Sequence, residues 1–232
     1  MNVNKKKYIV FDVNETLLDL DTMRPIFERI FKDSNAVRLW FQTLIVYSEA
    51  LTLARIYVPF TDIGAAVLEM VAKAGGVSVS KDDKRELTDR FATMPAHPEV
   101  PAALELLRNA GFRLFTLTDN LLEIQTRQLE HAGIANLFER RFSVDQEVKQ
   151  HKPAPEAYAY VEQQLGVAPT DLMLIACHTW DTIGALGAGW HAALIKRPHN
   201  DKLAVGPQVE IDGKDLYEVA TQIIARYGSN GM

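Results

Sequence analysis

The chain has 232 residues, enough for one large domain or for a core with a smaller inserted one. Apolar residues make up 47% and charged residues 24%, the balance of an ordinary globular protein rather than a disordered one. The net charge of −5 comes with mixed signs and no basic stripe, so neither nucleic acid nor an anionic membrane is an expected partner.

The start, MNVNKKKYIVFDVNE, sets basic residues before an apolar run, but Asp12 and Glu15 interrupt that run too early for a signal peptide. The following apolar stretches are too short to span a bilayer. The lone Cys177 excludes an internal disulfide, so a cytoplasmic location is expected.

Tyr8-Ile9-Val10-Phe11 is a short β-forming run that reads as a buried strand ending at Asp12. Segments 22–32, 35–54 and 60–74 then carry apolar residues at helical spacing, and Gly75-Gly76 stops the third. Ser80 followed by Asp83 has the form of a capping box opening a helix to Phe91. From Pro95 strands and helices alternate. Val100 to Asn109 is a helix stopped at Gly111, and Phe112 to Leu117 is a strand. Residues 121–131 form a helix, and Arg141 to Val144 a short strand. A helix over 155–165 opens with Pro155, followed by a strand from Leu172 to Ala176. A short helix over 180–188, a strand from Ala192 to Ile195 and a helix from Asp215 to Tyr227 complete the series.

Continuous apolar strands alternating with helices predict an α/β fold with a mostly parallel, Rossmann-like sheet. The helical block after the first strand has no place in that alternation and reads as an inserted all-helical cap. The expected division is a core of residues 1–20 and 95–232 with a cap of 21–94.

Ligands of an open α/β sheet sit outside the carboxyl ends of its strands. The first strand delivers Asp12, Asn14 and Thr16 there; the strand at 112–117 delivers Thr118, Asp119 and Asn120. The strand at 172–176 delivers Cys177, His178 and Asp181, and the loop before the 155–165 helix carries His151 and Lys152. Any one of these could be a helix cap or turn former. Four segments converging on one edge point to a site.

In their order and spacing, D-V-N-E-T-L-L-D at 12–19, Thr118, Lys152 in K-P-A-P-E-A-Y and the W-D pair at 180–181 resemble the four motifs of the haloacid-dehalogenase superfamily. The likeness covers almost the whole chain. Within it, K-P-x-x-x-x-Y and W-D resemble the type II, L-2-haloacid dehalogenase branch. The resemblance implies Asp12 as a nucleophile forming a covalent ester, Lys152 as the ammonium that keeps it ionised, and Asp181 as activator of water in the second step. Thr16 is its hydrogen-bonding partner, and Thr118, Asp119, Asn120, Tyr158 and His178 are expected around the substrate. Asn14 bears on the chemistry: superfamily phosphatases carry a second Asp there as general acid and base, which an alkoxide leaving group needs and a halide does not.

Two departures stand out. The type II enzymes place an arginine after a tryptophan on the first long cap helix, where this chain has Trp40-Phe41, both expected near the substrate. They also carry Ser-Ser-Asn where this chain has Ala176-Cys177-His178. Arg24 or Arg55 would have to supply the missing cap cation, and His178 the missing donor.

The resulting expectation is hydrolysis of a small 2-haloalkanoic acid without metal or cofactor, by an enzyme whose relatives are often homodimers. The rivals are a phosphatase or phosphonatase-like hydrolase using Mg²⁺ through Asp12, the Asn14 carbonyl and Asp181, and a catalytically weak member that binds an anion or a partner.

Overall fold

The computed structural model describes residues 8–228; the basic lead-in at 1–7 considered above lies outside them. Six parallel strands form one sheet in the order β3-β2-β1-β4-β5-β6. They are β1 (Tyr8–Phe11), β2 (Arg113–Thr118), β3 (Arg140–Ser143), β4 (Leu172–Ala176), β5 (His191–Ile195) and β6 (Ile211–Gly213). The order reverses direction at β1, whose neighbours are β2 and β4 in registers Phe11↔Thr116 and Phe11↔Ile175. That reversal opens a crevice at the carboxyl edge, the natural place for a ligand.

Side chains of β1 alternate between two apolar layers. Ile9 and Phe11 join the layer holding α5 (Val100–Asn109) and α9 (Leu216–Tyr227), and Val10 joins that of α7 (Pro155–Leu165) and α8 (Thr179–Gly187). With both faces covered, each fully buried aliphatic or Phe side chain contributes about 1.5–3 kcal/mol. The remaining core helix, α6 (Leu122–His131), lies against β3.

The helical block comprises α1 (Arg24–Phe31), α2 (Ala36–Leu53), α3 (Phe60–Ala74) and α4 (Lys81–Phe91). Its amphipathic helices bury Phe27, Trp40, Leu44 and Phe60 in an apolar cluster continuous with the Phe11 side of the core. The predicted capping box at Ser80 and Asp83 is present, satisfying two backbone N–H groups at the start of α4. The chain leaves and re-enters the core at one place: Asp19 N donates to Pro95 O at 2.8 Å and His97 N to Leu17 O at 2.9 Å. We propose those crossings as the boundary of a cap of residues 21–94.

The predicted elements are present within one or two residues at their ends. The sequence reading did not include β6 or the 3-10 turn at Leu20–Met23. Ile-Asp-Gly is too short to carry a strand periodicity and is held by pairing with β5 (Ala193↔Ile211). Among the described residues no helix is long and apolar enough to cross a membrane.

Candidate active site

Asp12 stands one residue beyond β1, its N–H donating to Ile175 O on β4 at 3.1 Å, which fixes it at the crevice. Its two carboxylate oxygens face different neighbours. Oδ1 accepts from Lys152 Nζ at 2.8 Å, and Oδ2 accepts from Thr16 Oγ1 at 2.6 Å. Thr16 Oγ1 in turn accepts from Cys177 N at 2.9 Å, tying the β1 loop to the β4 loop.

Lys152 is 1% exposed, an extreme for a lysine, and bridges two acids. Its Nζ also lies 2.6 Å from Asp181 Oδ2 and donates to Leu117 O at 3.3 Å. Tyr158, from α7, donates to Asp181 Oδ1 at 2.7 Å. Gly184 on α8 makes that approach possible: a Cβ there would stand 2.3 Å from Tyr158 Oη and 2.7 Å from Pro153 Cβ.

Burial opposes ionisation of Asp12, but the charges of Lys152 and His178 overcome it and hold the carboxyl well below the usual range. Burial likewise opposes charge on Lys152, and the flanking Asp12 and Asp181 carboxylates more than offset it, keeping the ammonium charged. Asp181 is pushed up by burial, with Asp12 adding to the rise and Lys152 opposing it. Tyr158 is raised well above its ordinary value by burial and the Asp181 charge, so it remains a hydroxyl donor. The arrangement therefore holds one carboxylate fully ionised beside a second with greater proton affinity, the pairing that separates a nucleophile from a base.

On the cap side, His178 Nδ1 lies 3.4 Å from Asp12 Oδ2 and Nε2 lies 2.8 Å from Glu15 Oε2. Burial opposes its charge, while Cys177 and Asp12 raise it to about 10. Its ring is stacked on Trp180 at 5.2 Å and packs on Phe41 at 5.7 Å. Arg38 of α2 pairs with Glu15 and with Asp21, the latter at 2.6 Å. Glu15, Arg38, Phe41, His178 and Trp180 line a cavity of about 300 Å³ between cap and core, with Gln42, Glu49 and Asn200 also on its wall.

The predicted residues thus divide. Asp12, Thr16, Lys152 and Asp181 are brought together, and Phe41 and His178 line the cavity beside them. Tyr158 is held on Asp181 rather than turned to the cavity, and Asn14, Asp119 and Asn120 are close by but engaged elsewhere. Asn14 Oδ1 accepts from Gln128 Nε2 at 3.1 Å and from Asn120 Nδ2 at 3.3 Å, and Asp119 Oδ1 accepts from Lys152 N at 2.9 Å. Thr118 Oγ1 accepts from Asn120 N at 3.3 Å, so this set braces the loops.

Trp40 is turned away: its indole N–H donates to Gly64 O at 2.9 Å, and it lines a separate apolar cavity inside the cap. Arg24 and Arg55 do not line the Asp12-side cavity either; Arg24 pairs with Asn35 and Asp21, and Arg55 lies on an outer groove. The cap cation there is Arg38, which the sequence reading passed over. Its signal was its place three residues before Phe41 on one helix, where i and i+3 share a face. Glu15, also passed over, is 3% exposed and stands with φ +64°.

Asp12, Cys177 and His178 offer potential ligand atoms within 4.8 Å of one another. The Mg²⁺ set considered from sequence fits poorly, because the Lys152 ammonium already lies between Asp12 and Asp181 and compensates both.

A carboxylate thus stands at the tip of the central strand, held by an ammonium and backed by a second acid, beneath a helical cap. The haloacid dehalogenase-like hydrolase model matches residues 6–189, and the chain belongs to that family. It is 28% identical to (S)-2-haloacid dehalogenase 2 of Pseudomonas sp. strain CBS-3, over 89% of this chain and 92% of that protein. It is 26% identical to haloacetate dehalogenase H-2 of Moraxella sp. strain B, over 84% and 88%. A solved L-2-haloacid dehalogenase superposes with TM-score 0.89 at 25% identity, over 94% of this chain and 98% of that one.

Proposed function

We propose that this protein hydrolyses the carbon–halogen bond of small 2-haloalkanoic acids through an ester formed on Asp12. The observation that carries the reading is the Asp12–Lys152–Asp181 line, with separations of 2.8 and 2.6 Å. Asp12 attacks the halogen-bearing carbon; a C–O bond forms as the C–halogen bond breaks, and the halide leaves with the bonding electrons. It needs no proton, which suits Asn14, a residue that cannot act as an acid. Loss of charge on Asp12 leaves Asp181 as the carboxylate paired with Lys152. Asp181 takes a proton from water, the resulting hydroxide adds to the Asp12 ester carbonyl, and collapse expels the 2-hydroxy acid as its alkoxide; the alkoxide takes the proton from Asp181 while the proton left on Asp12 passes to solvent, restoring both carboxylates. Tyr158 and Lys152 position Asp181 for that step.

Phosphoester hydrolysis is less well served, since Asn14 supplies no proton to an alkoxide and the ammonium stands where a cation would join the two acids. The reaction is accordingly proposed as metal-free and cofactor-free, in the cytoplasm. A homodimer is proposed through the exposed face of α2, where Leu39, Val46 and Leu53 recur at heptad spacing.

The test is halide release from a panel of 2-haloacids with and without EDTA, beside a generic phosphatase substrate. Halide release unaffected by chelation and abolished in Asp12→Asn is expected. One turnover in heavy-oxygen water places the label in Asp12. Label in the product from the first turnover would discard the ester, and strict Mg²⁺ dependence would favour the phosphatase reading.

A further inference from the structure

Glu15 takes no part in the chemistry above, yet several features hold it in place. Its side chain is buried at the floor of the cap–core cavity. Its φ of +64° is one that a side-chain-bearing residue seldom adopts outside Asn and Asp, and such strain persists where the surroundings enforce it. Here they do: His97 Nε2 lies 2.9 Å from the Glu15 carbonyl, and Arg197 Nη2 donates to the next carbonyl, Thr16 O, at 2.9 Å. The carboxylate is delivered to the two cavity-lining groups best able to receive an anion. His178 Nε2 is 2.8 Å from Oε2, and the Arg38 guanidinium pairs with Oε1.

A haloacid brings its own carboxylate beside Asp12. Lys152 is already committed to Asp12 and Asp181; of the other basic side chains lining the cavity, Arg38 and His178 stand against Glu15, and His199 is exposed at its edge. The first two are held by Glu15, and Arg38 by Asp21 as well. Glu49 places a further acid on the same wall. An incoming carboxylate must therefore displace Glu15 or lie against it, and like charges brought together in a buried site strongly disfavour binding. An uncharged group does not meet that opposition. A carbonyl oxygen can accept from the buried Arg38 Nε, which finds no hydrogen-bond acceptor among the described residues.

We propose that Glu15 is a specificity-determining residue that occupies the seat of a substrate carboxylate between Arg38 and His178, weakening 2-haloacids relative to uncharged 2-haloamides. The proposal rests on the reading of Asp12 as a nucleophile at halogen-bearing carbon, and adds which substrates reach it.

The test compares wild type with Glu15→Gln, which removes the charge, and Glu15→Gly, which also relaxes the positive φ. Propionate and propionamide serve as unreactive probes by calorimetric titration, and 2-chloropropionate and 2-chloropropionamide as substrates by halide release. Wild type is expected to bind propionate no better than propionamide. Both variants are expected to shift the acid-to-amide affinity ratio at least about tenfold toward the acid, with a matching fall in KM for the chloroacid. Wild type binding propionate about tenfold more tightly than the amide would overturn the proposal without need of a variant. So would an unchanged ratio, or one shifted toward the amide, in the folded variants; Glu15 would then be holding Arg38 and His178 ready for the acid. Absence of halide release from every substrate would remove the dehalogenase reading, while the titrations would still decide who holds the seat.

Discussion

Replacing Lys152 with Met keeps most of the buried volume and removes the charge that lies between two acids. The side chains of Lys152, Asp12 and Asp181 are 1%, 7% and 0% exposed, so little water can substitute. At separations of 2.8 and 2.6 Å, each attraction is about 6 kcal/mol gross at an effective dielectric of about 20. Desolvation of the three groups offsets much of this. Breaking a buried pair by removing one partner still leaves a net cost of about 3–5 kcal/mol. That cost falls on two uncompensated carboxyls, and the cheapest relief is for one of them to take a proton. Asp181, already the acid of greater proton affinity, takes that proton first, and Asp12 loses its main counter-charge while keeping that of His178.

Two outcomes follow for Lys152→Met. Urea unfolding should show a loss of about 3–5 kcal/mol. Halide release near neutral pH should fall by about 10²–10³-fold, the scale set by removing one preorganised charge from a site. The residual rate should climb as pH rises and Asp181 is deprotonated for the water step, whereas in the wild type Lys152 favours the charged form of Asp181. A variant that keeps more than about a tenth of the rate, with no rise toward alkaline pH, would show that Lys152 neither holds Asp181 charged nor orients Asp12.

Gly184→Ala sets helix propensity, worth about 0.5–1 kcal/mol in favour of Ala, against a Cβ driven into Tyr158 Oη. The clash should win by about 1–3 kcal/mol, lowering thermal stability and kcat together; a stabilised, fully active variant would refute the close approach. His97 is held down to about 4, first by burial and then by Arg197, so the folded state favours its neutral form. Its stabilisation is full above the unfolded value near 6.5 and is lost as pH falls toward about 4. His97→Gln should flatten that acid limb in urea titrations. His178 shifts the other way, to about 10: its stabilisation is full below about 6.5 and disappears as pH rises through about 10. Halide release should decline over that alkaline range, and an identical decline in His178→Gln would assign it elsewhere.

The sheet and the Asp12 machinery were legible in the sequence because they depend on local pattern. A buried parallel strand must be continuously apolar, and its carboxyl end must turn polar where a ligand binds, as at Phe11-Asp12 and Ala176-Cys177. The capping box at Ser80 is equally local. The cavity wall was less legible because it depends on which face of α2 meets the core. The Trp40-Phe41 pair drew attention, but residues adjacent in a helix point about 100° apart, so Phe41 reaches His178 and Trp40 turns into the cap. Arg38 shares the Phe41 face, and only the packing of cap on core reveals that it meets Glu15. A positive φ at Glu15 has no sequence signal, since glycine is the usual marker of that conformation.

The two oxygens of Asp12 separate reactivity from selection. Oδ1 belongs to Lys152, Asp181 and Tyr158, whose charges and hydrogen bonds set the ionisation of Asp12 and the proton affinity of Asp181. Oδ2 belongs to Thr16 and, through His178, to Glu15 and Arg38, the groups proposed above to meet the rest of the substrate. The places where this chain departs from the type II pattern, Phe41 and His178, lie on the Oδ2 side, whereas Lys152, Tyr158 and Asp181 follow it. Substitutions on that side alter the charge met by a substrate while leaving the Lys152 bridge in place. A chain can therefore retain the displacement chemistry and change its substrate by exchanging groups that touch only one oxygen of its nucleophile.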